Sequence, residues 1–594
     1  MNVREEVQNQ FNELCITPSD DVLDKCCEIC ILNNVDPEEF VETWMAYSLT
    51  HLNGAEPTVE AIMKMEKKEF SERKVKIESP KHEEEELNIY TTPKSNNVIR
   101  TDNSLSTTPK SVKNKTINRS IGFSQSPRTA FSPASYSPDV GKPCTNYESR
   151  TNSGQSVLTY GEKRDVTSQQ PSSWQPSLKV WTPADGGGGG GDQLITCLDH
   201  RLMMENVSVK GDIWSDRIDT IGKLICDQCK LDEPALYNQS SSDKFATYGR
   251  IVSAEGRLQT KSVQLESSEP FSRGRKLELV MHELMAGAQK TQPSQPNVCT
   301  GLFPGQVVAV QGVCPIAGKM MVQSVCSPAP PPLPPVPTLT AGPLKLVIAA
   351  GPFTQADNLL YQPLEDFVKY LKTNQPHVAI IIGPIADAAH SMIVDCSIAE
   401  TFAELHDKIL KGIVAELSGC KTQLVYVVSA RDAAQTPIYP TIPITDKIQG
   451  LTMVSDPSIL DVGGLMVGIS STDVLMHLSK EELAISGHGD RLGRLASHLI
   501  TQHNFYPLYP PNEDVTIDSI LWESQSGLPI SPHILVLPSD LRYFIKNVGS
   551  SIVVNPERLA KGQAGGSFAA IEIYPSENSE WSPSTHIHGQ ILKI

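Results

Sequence analysis

The side chains best suited to chemistry lie where apolar, strand-like runs of the sequence end. Asp387, Asp432 and Asp540 follow three such runs, and His477 lies shortly after a fourth. Carboxylates and imidazoles are side chains with which proteins hold metal ions. Because chemistry collects at the carboxyl ends of strands in open α/β sheets, these positions should reveal whether the domain is an enzyme.

The same turns contain residues that argue against a metal site. The first two turns offer few ligands, since they read Gly351-Pro352-Phe353 and Gly383-Pro384. Arg431 stands next to Asp432, and its positive charge would repel bound cations. We therefore expect no catalytic residue, no metal and no cofactor here.

Positioning these residues requires a sheet whose strands are joined by helices. Apolar runs predict seven strands, at Leu344–Ala350, Val378–Ile382, Gln423–Ser429, Leu465–Ser470, His533–Pro538, Ser551–Pro556 and Phe568–Tyr574. Amphipathic segments near 359–371 and 398–417 predict helices between the first three strands. This alternation predicts an α/β domain over residues 339–594.

Residues 248–326 alternate apolar and polar side chains with period two in five short segments with glycine-rich turns. The pattern predicts a small β-barrel of the OB type, in a domain over 193–338 that begins with helical segments. Many OB folds stack single-stranded nucleic acid on aromatic rings, but this stretch offers only Tyr248, Phe271 and Phe303. Protein docking is therefore favoured, and any DNA contact should be weak or indirect.

Helical spacing of apolar residues predicts a small helical domain over residues 1–77, without a visible active site. Residues 78–192 are rich in Ser, Thr, Pro, Asn and Gly, which predicts a disordered linker. The linker repeats Ser/Thr-Pro steps, and these are candidate sites for proline-directed kinases: Thr92, Thr108, Ser126, Ser132 and Ser137, with Ser79 as a sixth. Each phosphate would reduce the positive charge of the linker.

The overall balance of charge is acidic, with a formal net charge of −17 over 594 residues. This balance argues against nonspecific binding of duplex DNA, which depends on Lys and Arg neutralising phosphates.

The thirteen cysteines are scattered, as in proteins with reduced thiols. The pairs Cys197/His200 and Cys226/Cys229 have spacings seen in zinc sites, but they lie in helical patterns, so buried packing is favoured over zinc. No membrane segment or secretion signal is predicted.

The strands and turns after Leu344 resemble the calcineurin-like metallophosphoesterase fold. The resemblance implies that Pro384 replaces a bridging aspartate and that Asp387, His477 and Asp540 are what remains of a ligand set whose other members are lost. The fold class is then multidomain: an α-helical N-terminal module, a disordered linker, an OB-fold β-barrel and an α/β phosphoesterase-like domain that lacks its metal site.

An OB barrel joined to an inactive phosphoesterase resembles the B subunits of the eukaryotic replicative DNA polymerases, and most of all that of DNA polymerase alpha–primase. The most specific match is the run Tyr506-Pro507-Leu508-Tyr509-Pro510-Pro511, and further matches include Phe303-Pro304-Gly305 and Val553-Val554-Asn555-Pro556. Glu557 departs from the family, which usually has glycine at this turn.

The resemblance implies a nuclear, non-catalytic scaffold. Its barrel and phosphoesterase-like domain would bind the C-terminal domain of the catalytic subunit of DNA polymerase alpha, with primase in the same complex. Its helical domain would recruit other replication factors. Two alternatives remain open: the B subunit of polymerase delta or epsilon, and an active metallophosphoesterase.

Overall fold

A computed structural model describes residues 3–13, 18–33, 37–51, 57–66, 145–164, 174–181, 202–238, 240–282, 284, 299–337, 339, 342–444, 447–485, 490–575 and 581–594. These residues form two compact units, a helical head near the N terminus and a larger body that contains the barrel and the α/β domain. Within the described residues, no helix is long and apolar enough to cross a membrane.

The described residues of the head form four helices, as its apolar spacing predicts: α1 (Val3–Glu13), α2 (Asp20–Asn33), α3 (Pro37–His51) and α4 (Val59–Met65). Its core includes the fully buried side chains of Phe11, Cys26, Phe40 and Trp44. Burial raises the pKa of the Cys26 thiol, which suits an apolar packing residue better than a metal ligand.

The body contains ten helices among its described residues: α5 (Thr145–Glu148), α6 (Val207–Cys229), α7 (Glu269–Ser272), α8 (Gln362–Asn374), α9 (Ser391–Val394), α10 (Phe402–Leu417), α11 (Val474–Glu481), α12 (Arg491–Thr501), α13 (Ser519–Gln525) and α14 (Pro583–His586). Local sequence fixes several helix starts. At α10, for example, the Thr401 hydroxyl accepts a hydrogen bond from the Glu404 backbone N–H, and the Glu404 carboxylate accepts one from the Thr401 N–H.

The strands of the body, in chain order, are β1 (Ser156–Tyr160), β2 (Leu178–Trp181), β3 (Ser241–Ser253), β4 (Val263–Glu266), β5 (Lys276–Val280), β6 (Gly301–Leu302), β7 (Val307–Ile316), β8 (Lys319–Cys326), β9 (Leu344–Ala350), β10 (Val378–Ile382), β11 (Gln423–Val427), β12 (Leu451–Val454), β13 (Ser458–Val462), β14 (Leu465–Ile469), β15 (Leu483–Ala484), β16 (Ile534–Val536), β17 (Phe544–Val548), β18 (Ser551–Asn555), β19 (Ala560–Lys561), β20 (Ala564–Gly565), β21 (Ser567–Ile573) and β22 (Ile587–Lys593). All seven strands predicted for the α/β domain are present.

The predicted OB barrel is confirmed. Strands β3, β4, β5, β8 and β7 close in that order around a core of alternating apolar residues such as Ile251, Leu265 and Val310. Helix α6 packs against β3 and β7 on the outside of the barrel. Its apolar stripe, which includes Ile218, Ile221 and Ile225, is buried in that contact.

The α/β domain is built from two facing sheets. One has seven strands in the order β1-β22-β21-β9-β10-β11-β12, and the other has six in the order β17-β18-β16-β14-β13-β2. Strands β9 to β12 are parallel, and so are β14, β16 and β18. Their carboxyl ends therefore hold the turns that the sequence singled out.

The domain has four layers. Apolar side chains of both sheets, such as Ile348, Ile380 and Val536, fill the space between them. Helices α8, α9 and α10 cover the outer face of the seven-stranded sheet, and α11, α12 and α13 cover that of the six-stranded sheet. This α/β/β/α order agrees with the phosphoesterase-like architecture that the sequence implies.

Part of the predicted disordered linker belongs to the body, so that prediction is wrong for residues 145–164 and 174–181. Strand β1 pairs with β22, and β2 pairs with β13, so each extends one sheet. Val157, Leu158 and Tyr160 pack on the core between the sheets. An edge strand needs few apolar residues because an existing sheet supplies its backbone partners, which is why composition alone missed these strands. The rest of the linker lies outside the described residues.

The barrel and the α/β domain are tied together by polar contacts. The side chain of Gln502 accepts a hydrogen bond from the Val307 N–H at 2.9 Å and donates one to the Val307 carbonyl at 3.0 Å. Strand β15 pairs with β6, beside the buried carboxylate of Glu482. Arg494 and His498 each donate a hydrogen bond to Glu482 at 2.8 Å. The two domains are therefore joined by the bonds of Gln502 and by the β15–β6 pairing, and the ion pairs of Glu482 lie next to that pairing within the α/β domain.

Candidate functional site

The two glycine–proline turns lie side by side at the carboxyl ends of β9 and β10. The Gly351 N–H donates to the Ile382 carbonyl at 2.8 Å, and the Gly383 N–H donates to the Val427 carbonyl at 2.9 Å. A Cβ atom on Gly351 would lie 2.1 Å from the Pro384 carbonyl oxygen, so this position cannot carry any side chain. Phe353 is fully buried in the core under the helices. The first turn thus contributes packing and no ligand.

Asp387 and Arg431 are brought together by the parallel strands. A guanidinium nitrogen of Arg431 donates to Asp387 Oδ2 at 2.7 Å. The backbone of the two turns also pairs, through a bridge between Asp387 and Asp432. The carboxylate that remains after the second strand is therefore already neutralised by an arginine from the third turn.

Asp432 shapes the second turn instead of facing a ligand. Its carboxylate is buried and accepts hydrogen bonds from the N–H groups of Ile385, Ala386 and Ala434, at 2.6, 3.2 and 3.0 Å. Burial raises the pKa of Asp432, although these bonds and the nearby His406 oppose the rise. The Tyr426 hydroxyl also donates to Asp432 Oδ2 at 3.4 Å, so both backbone and side-chain donors occupy this carboxylate.

Asp540 is held by two residues that sequence reasoning did not single out as functional, Arg558 and Asp473. The Arg558 Nε donates to Asp540 Oδ1 at 2.9 Å, and its Nη2 lies 3.3 Å from Asp473 Oδ2. Desolvation opposes the charge of Asp540, but the charges of Arg558 and Arg431 outweigh it and hold the pKa of this carboxyl well below its usual range. Asp540 is therefore an ionised partner of an arginine.

His477 lies on α11 and faces a tyrosine. Its Nδ1 is 3.2 Å from the Tyr506 hydroxyl, and the ring is buried. Burial lowers the pKa of His477 despite the nearby charge of Asp473, which favours the neutral ring. Asp473 itself caps the same helix, since its Oδ1 accepts a hydrogen bond from the Met476 N–H at 3.0 Å.

The side chains at these strand ends do not fit a two-metal centre. Each retained carboxylate or imidazole has a protein partner, and two guanidinium groups stand among them. Throughout the part of the chain that the structure describes, no three His, Cys, Asp or Glu side chains come together as a metal site would require. What the geometry supports at this point is a set of internal ion pairs.

The remaining predicted sites divide between described and undescribed residues. Cys226 is buried on α6, and burial raises the pKa of its thiol to about 11, which disfavours the thiolate that zinc binds. Cys197, His200 and the candidate phosphorylation sites Thr92, Thr108, Ser126, Ser132 and Ser137 lie outside the described residues.

Glu557 adopts the backbone of a tight turn, the feature that the sequence put in doubt at this position. Its φ is 66°, in the left-handed region that favours glycine. Its carboxylate pairs with Lys561 and accepts a hydrogen bond from the Ser567 hydroxyl at 3.1 Å. These contacts of the side chain compensate for the backbone strain.

A second feature is a groove where α6, the barrel and the α/β domain meet, with a cavity of about 320 Å³. We call it the α6 groove; its walls include Val207, Trp214, Arg250, Glu266 and Tyr509. The Trp214 and Tyr509 ring centres are 4.1 Å apart, and the Arg250 guanidinium lies 4.6 Å from the Tyr509 ring centre. Arg250 also donates to the Glu266 carboxylate at 3.1 Å.

The rim of the α6 groove is apolar and exposed. Val207, in the first turn of α6, is 88% exposed, and Met204, just before it, is 75% exposed. Ile520 on α13 is also exposed, and α13 is connected to this edge because the Met203 N–H donates to its capping residue Asp518 at 2.7 Å. Large apolar side chains left in water at one edge are typical of an interaction surface.

Three family models match this chain. The model of the DNA polymerase alpha/epsilon B subunit matches residues 346–546, that of the N-terminal domain of the DNA polymerase alpha B subunit matches 5–72, and that of the OB domain of the same B subunit matches 211–327. The matches cover the head, the barrel and most of the α/β domain. A solved structure of an archaeal phosphodiesterase also aligns with 42% of this chain and all of its own, at 9% identity and a TM-score of 0.22.

Relatives from animals match over most of their length. The DNA polymerase alpha B subunit of Drosophila melanogaster is 32% identical over 97% of this chain and 97% of the relative. The mouse protein of the same name is 31% identical over 84% of this chain and 80% of the relative. The similarity thus runs through the head, the barrel and the α/β domain in one order, and the chain belongs to the family of DNA polymerase alpha B subunits.

Proposed function

We propose that the protein is a non-catalytic scaffold of the DNA polymerase alpha–primase complex, which binds the C-terminal domain of the catalytic subunit and supports primer synthesis at the initiation of replication. The observation that carries this proposal is the family similarity over 97% of the chain. Two of the three matching family models are specific to polymerase alpha, which favours alpha over the delta or epsilon B subunits. The implied location is the nucleus.

The scaffold is not an enzyme in this proposal. A phosphoesterase of this architecture needs carboxylates and imidazoles that are free to bind two metals. Here Arg431 pairs with Asp387, and Arg558 pairs with Asp540 and Asp473. The positive charges needed to balance these carboxylates come from the protein itself, which supports a role in docking rather than in hydrolysis.

The α6 groove is the surface proposed to receive the catalytic subunit. It is formed by both the barrel and the α/β domain, which are joined by the hydrogen bonds of Gln502 and by the β15–β6 pairing. Its walls place the exposed side chain of Val207 together with the rings of Trp214 and Tyr509 and the guanidinium of Arg250, and aromatic residues and arginine are enriched at the centres of protein interfaces. A polypeptide segment that presents apolar side chains fits this groove better than nucleic acid, because Glu266 and Glu269 line it beside Arg250 and Lys210.

A pull-down from nuclear extract with the full chain tests the proposal. We expect the catalytic subunit of polymerase alpha and both primase subunits to be recovered, and the head alone, residues 1–77, to recover other replication factors. Recovery of polymerase delta or epsilon instead would refute the assignment to alpha. Recovery of no polymerase subunit would refute the scaffold role.

The limits of the domains are part of the proposal: a head over 1–77, a linker over 78–192 that contributes β1 and β2 to the body, a barrel domain over 193–338 and a phosphoesterase-like domain over 339–594.

We also propose that proline-directed kinases modify the linker at Thr92, Thr108, Ser126, Ser132 or Ser137. Mass spectrometry of the protein from dividing cells should find phosphate at these positions, and an unmodified linker would contradict it.

A further inference from the structure

Arg558 is a buried cation at the place where a phosphoesterase of this architecture would hold its metals. The residue is 2% exposed and follows β18, close to the turn after β9. Each of its three guanidinium nitrogens faces an oxygen: Nε faces Asp540 Oδ1 at 2.9 Å, Nη2 faces Asp473 Oδ2 at 3.3 Å, and Nη1 faces the Gly351 carbonyl at 3.5 Å. A buried charge of this kind is retained only when it is paired.

The oxygens around Arg558 come from separate elements of both sheets. Gly351 follows β9 in the seven-stranded sheet, whereas Asp540 follows β16 in the six-stranded sheet. Asp473 caps α11 and also accepts a hydrogen bond from the Asp540 N–H at 2.7 Å. One guanidinium thus connects a turn of each sheet with the start of a helix.

The surrounding negative charge is balanced chiefly by two arginines, with Lys561 as a further cation near Asp540. Asp387 carries its own partner, Arg431, at 2.7 Å. Burial opposes the charge of Arg558, but Asp540, Asp473 and Asp387 together raise its pKa above the usual value. Without the guanidinium, Asp473 and Asp540 would be two carboxylates facing each other with no cation between them.

We propose that the guanidinium of Arg558 is a built-in replacement for the metal ions: it compensates the carboxylates that converge at the strand ends and joins the two sheets there. A metal ion would do the same but would also leave a coordination position for water. A guanidinium has five N–H donors, no acceptor and a permanent charge, so it holds the carboxylates without activating a water molecule. The inference goes beyond the docking role, since it concerns the isolated chain.

This proposal differs from an ordinary ion pair in one consequence. If Arg558 occupies the position of a cation, its removal should leave a cavity lined by hard oxygen donors: the two carboxylates of Asp473 and Asp540 and the Gly351 carbonyl. Such donors suit Mn²⁺ or Mg²⁺. The Arg558→Ala variant should therefore accept a divalent cation that the native chain does not.

The test compares thermal unfolding of the full-length native chain and of Arg558→Ala, each with EDTA and with Mn²⁺. In EDTA we expect Arg558→Ala to unfold about 5 °C lower, because the buried carboxylate of Asp473 and the partly exposed carboxylate of Asp540 lose their partner. Saturating Mn²⁺ should restore about half of this loss. The native chain should show no response to Mn²⁺.

Arg431→Gln is the matched control. It also removes an arginine from this region, but Arg431 is 40% exposed and pairs with a single carboxylate. It should lower the unfolding temperature by about 2 °C or less, with no response to Mn²⁺.

The proposal is overturned if Arg558→Ala unfolds at the native temperature, or if its loss of stability is the same with and without Mn²⁺. Should Arg558→Ala not fold in EDTA, refolding from denaturant with and without Mn²⁺ replaces the melting curve. Recovery of soluble protein only with Mn²⁺ supports the proposal, and equal recovery contradicts it. None of these results depends on whether the chain binds a polymerase subunit.

Discussion

The strand ends of the α/β domain and the α6 groove use similar residue types in opposite ways. At the strand ends, Arg558 and Arg431 are satisfied by carboxylates of the same chain, and Phe353 is buried. In the groove, Val207 is left exposed to water beside Arg250 and Tyr509. The comparison teaches that the carboxylates and arginines at the strand ends neutralise one another within the chain, whereas the groove at the junction of two domains leaves an apolar side chain exposed.

The largest effect should come from adding one methyl group at Gly351, in the turn that follows β9. In Gly351→Ala the new Cβ would meet the Pro384 carbonyl oxygen at 2.1 Å, and that oxygen belongs to the backbone and cannot rotate away. We expect a loss of about 4 kcal/mol in the free energy of unfolding, measured with urea. Gly419→Ala is the control, because a Cβ there meets nothing within 4 Å and stability should hardly change. Equal stability of the two variants would contradict the close packing of the turns.

The next effect concerns Glu482, whose buried carboxylate lies next to the β15–β6 pairing between the two domains. Burial opposes its charge, but His498 and Arg494 hold the pKa of Glu482 at about 2, below its ordinary 4.5. A carboxylate with a depressed pKa stabilises the fold above its ordinary pKa, and the contribution is lost as the pH falls from 4.5 toward 2. We expect Glu482→Gln to cost about 3 kcal/mol at pH 7.

The pH dependence distinguishes this account from a simple packing defect. The difference in stability between the native chain and Glu482→Gln should shrink as the pH falls below 4.5, in urea unfolding at a series of pH values. Glu278→Gln, which removes an exposed pair with Lys319, should change little at any pH. A difference for Glu482→Gln that stays constant with pH would contradict the charged pairing.

A smaller effect, on binding alone, should come from a substitution in the α6 groove. Val207→Asp places a charge in the apolar rim of the α6 groove, so it should weaken binding to the catalytic subunit about tenfold, or 1.4 kcal/mol. Stability should be kept, since aspartate is favourable in the first turn of a helix. Ile316→Asp is the matched control, because Ile316 is 69% exposed on the barrel, away from the groove. Equal binding by the two variants would show that the docking surface does not include the α6 groove.

The smallest effect should follow from changing Arg431, the partly exposed arginine at the strand ends of the α/β domain. Arg431→Gln removes a partly exposed ion pair with Asp387, and we expect a loss of about 0.5 kcal/mol in the free energy of unfolding. Urea unfolding measures it. A loss comparable to that of Gly351→Ala would show that this pair is as important as the packing of the turns.

Much of the fold could be predicted because apolar runs mark buried parallel strands. Leu344–Ala350 and Val378–Ile382 are strands with the predicted bounds, and the period-two segments form the barrel. Strands β1 and β2 could not be predicted from composition, since they lie in a polar segment and depend on the edges of sheets formed by distant residues. Their pairing with β22 and β13 depends on the tertiary structure, which brings distant parts of the chain together.

The sequence predicts where the residues of the candidate site lie, but it does not predict which groups they bond to. Asp387, Asp432, His477 and Asp540 stand near the strand ends, yet sequence spacing could not reveal that each is engaged by another side chain or by backbone. Arg558 was missed because it lies in a stretch recognised only as a family match. The nearest signal was its place just after Asn555-Pro556, at the end of an apolar run.

The central claim is that this chain is a scaffold for the catalytic subunit of polymerase alpha. Isothermal titration of the full-length chain with the C-terminal domain of that subunit tests it most directly. The account predicts a 1:1 complex with a dissociation constant of about 10 nM or tighter, as expected for a specific and stable interface. Absence of binding at micromolar concentrations of both proteins would contradict it.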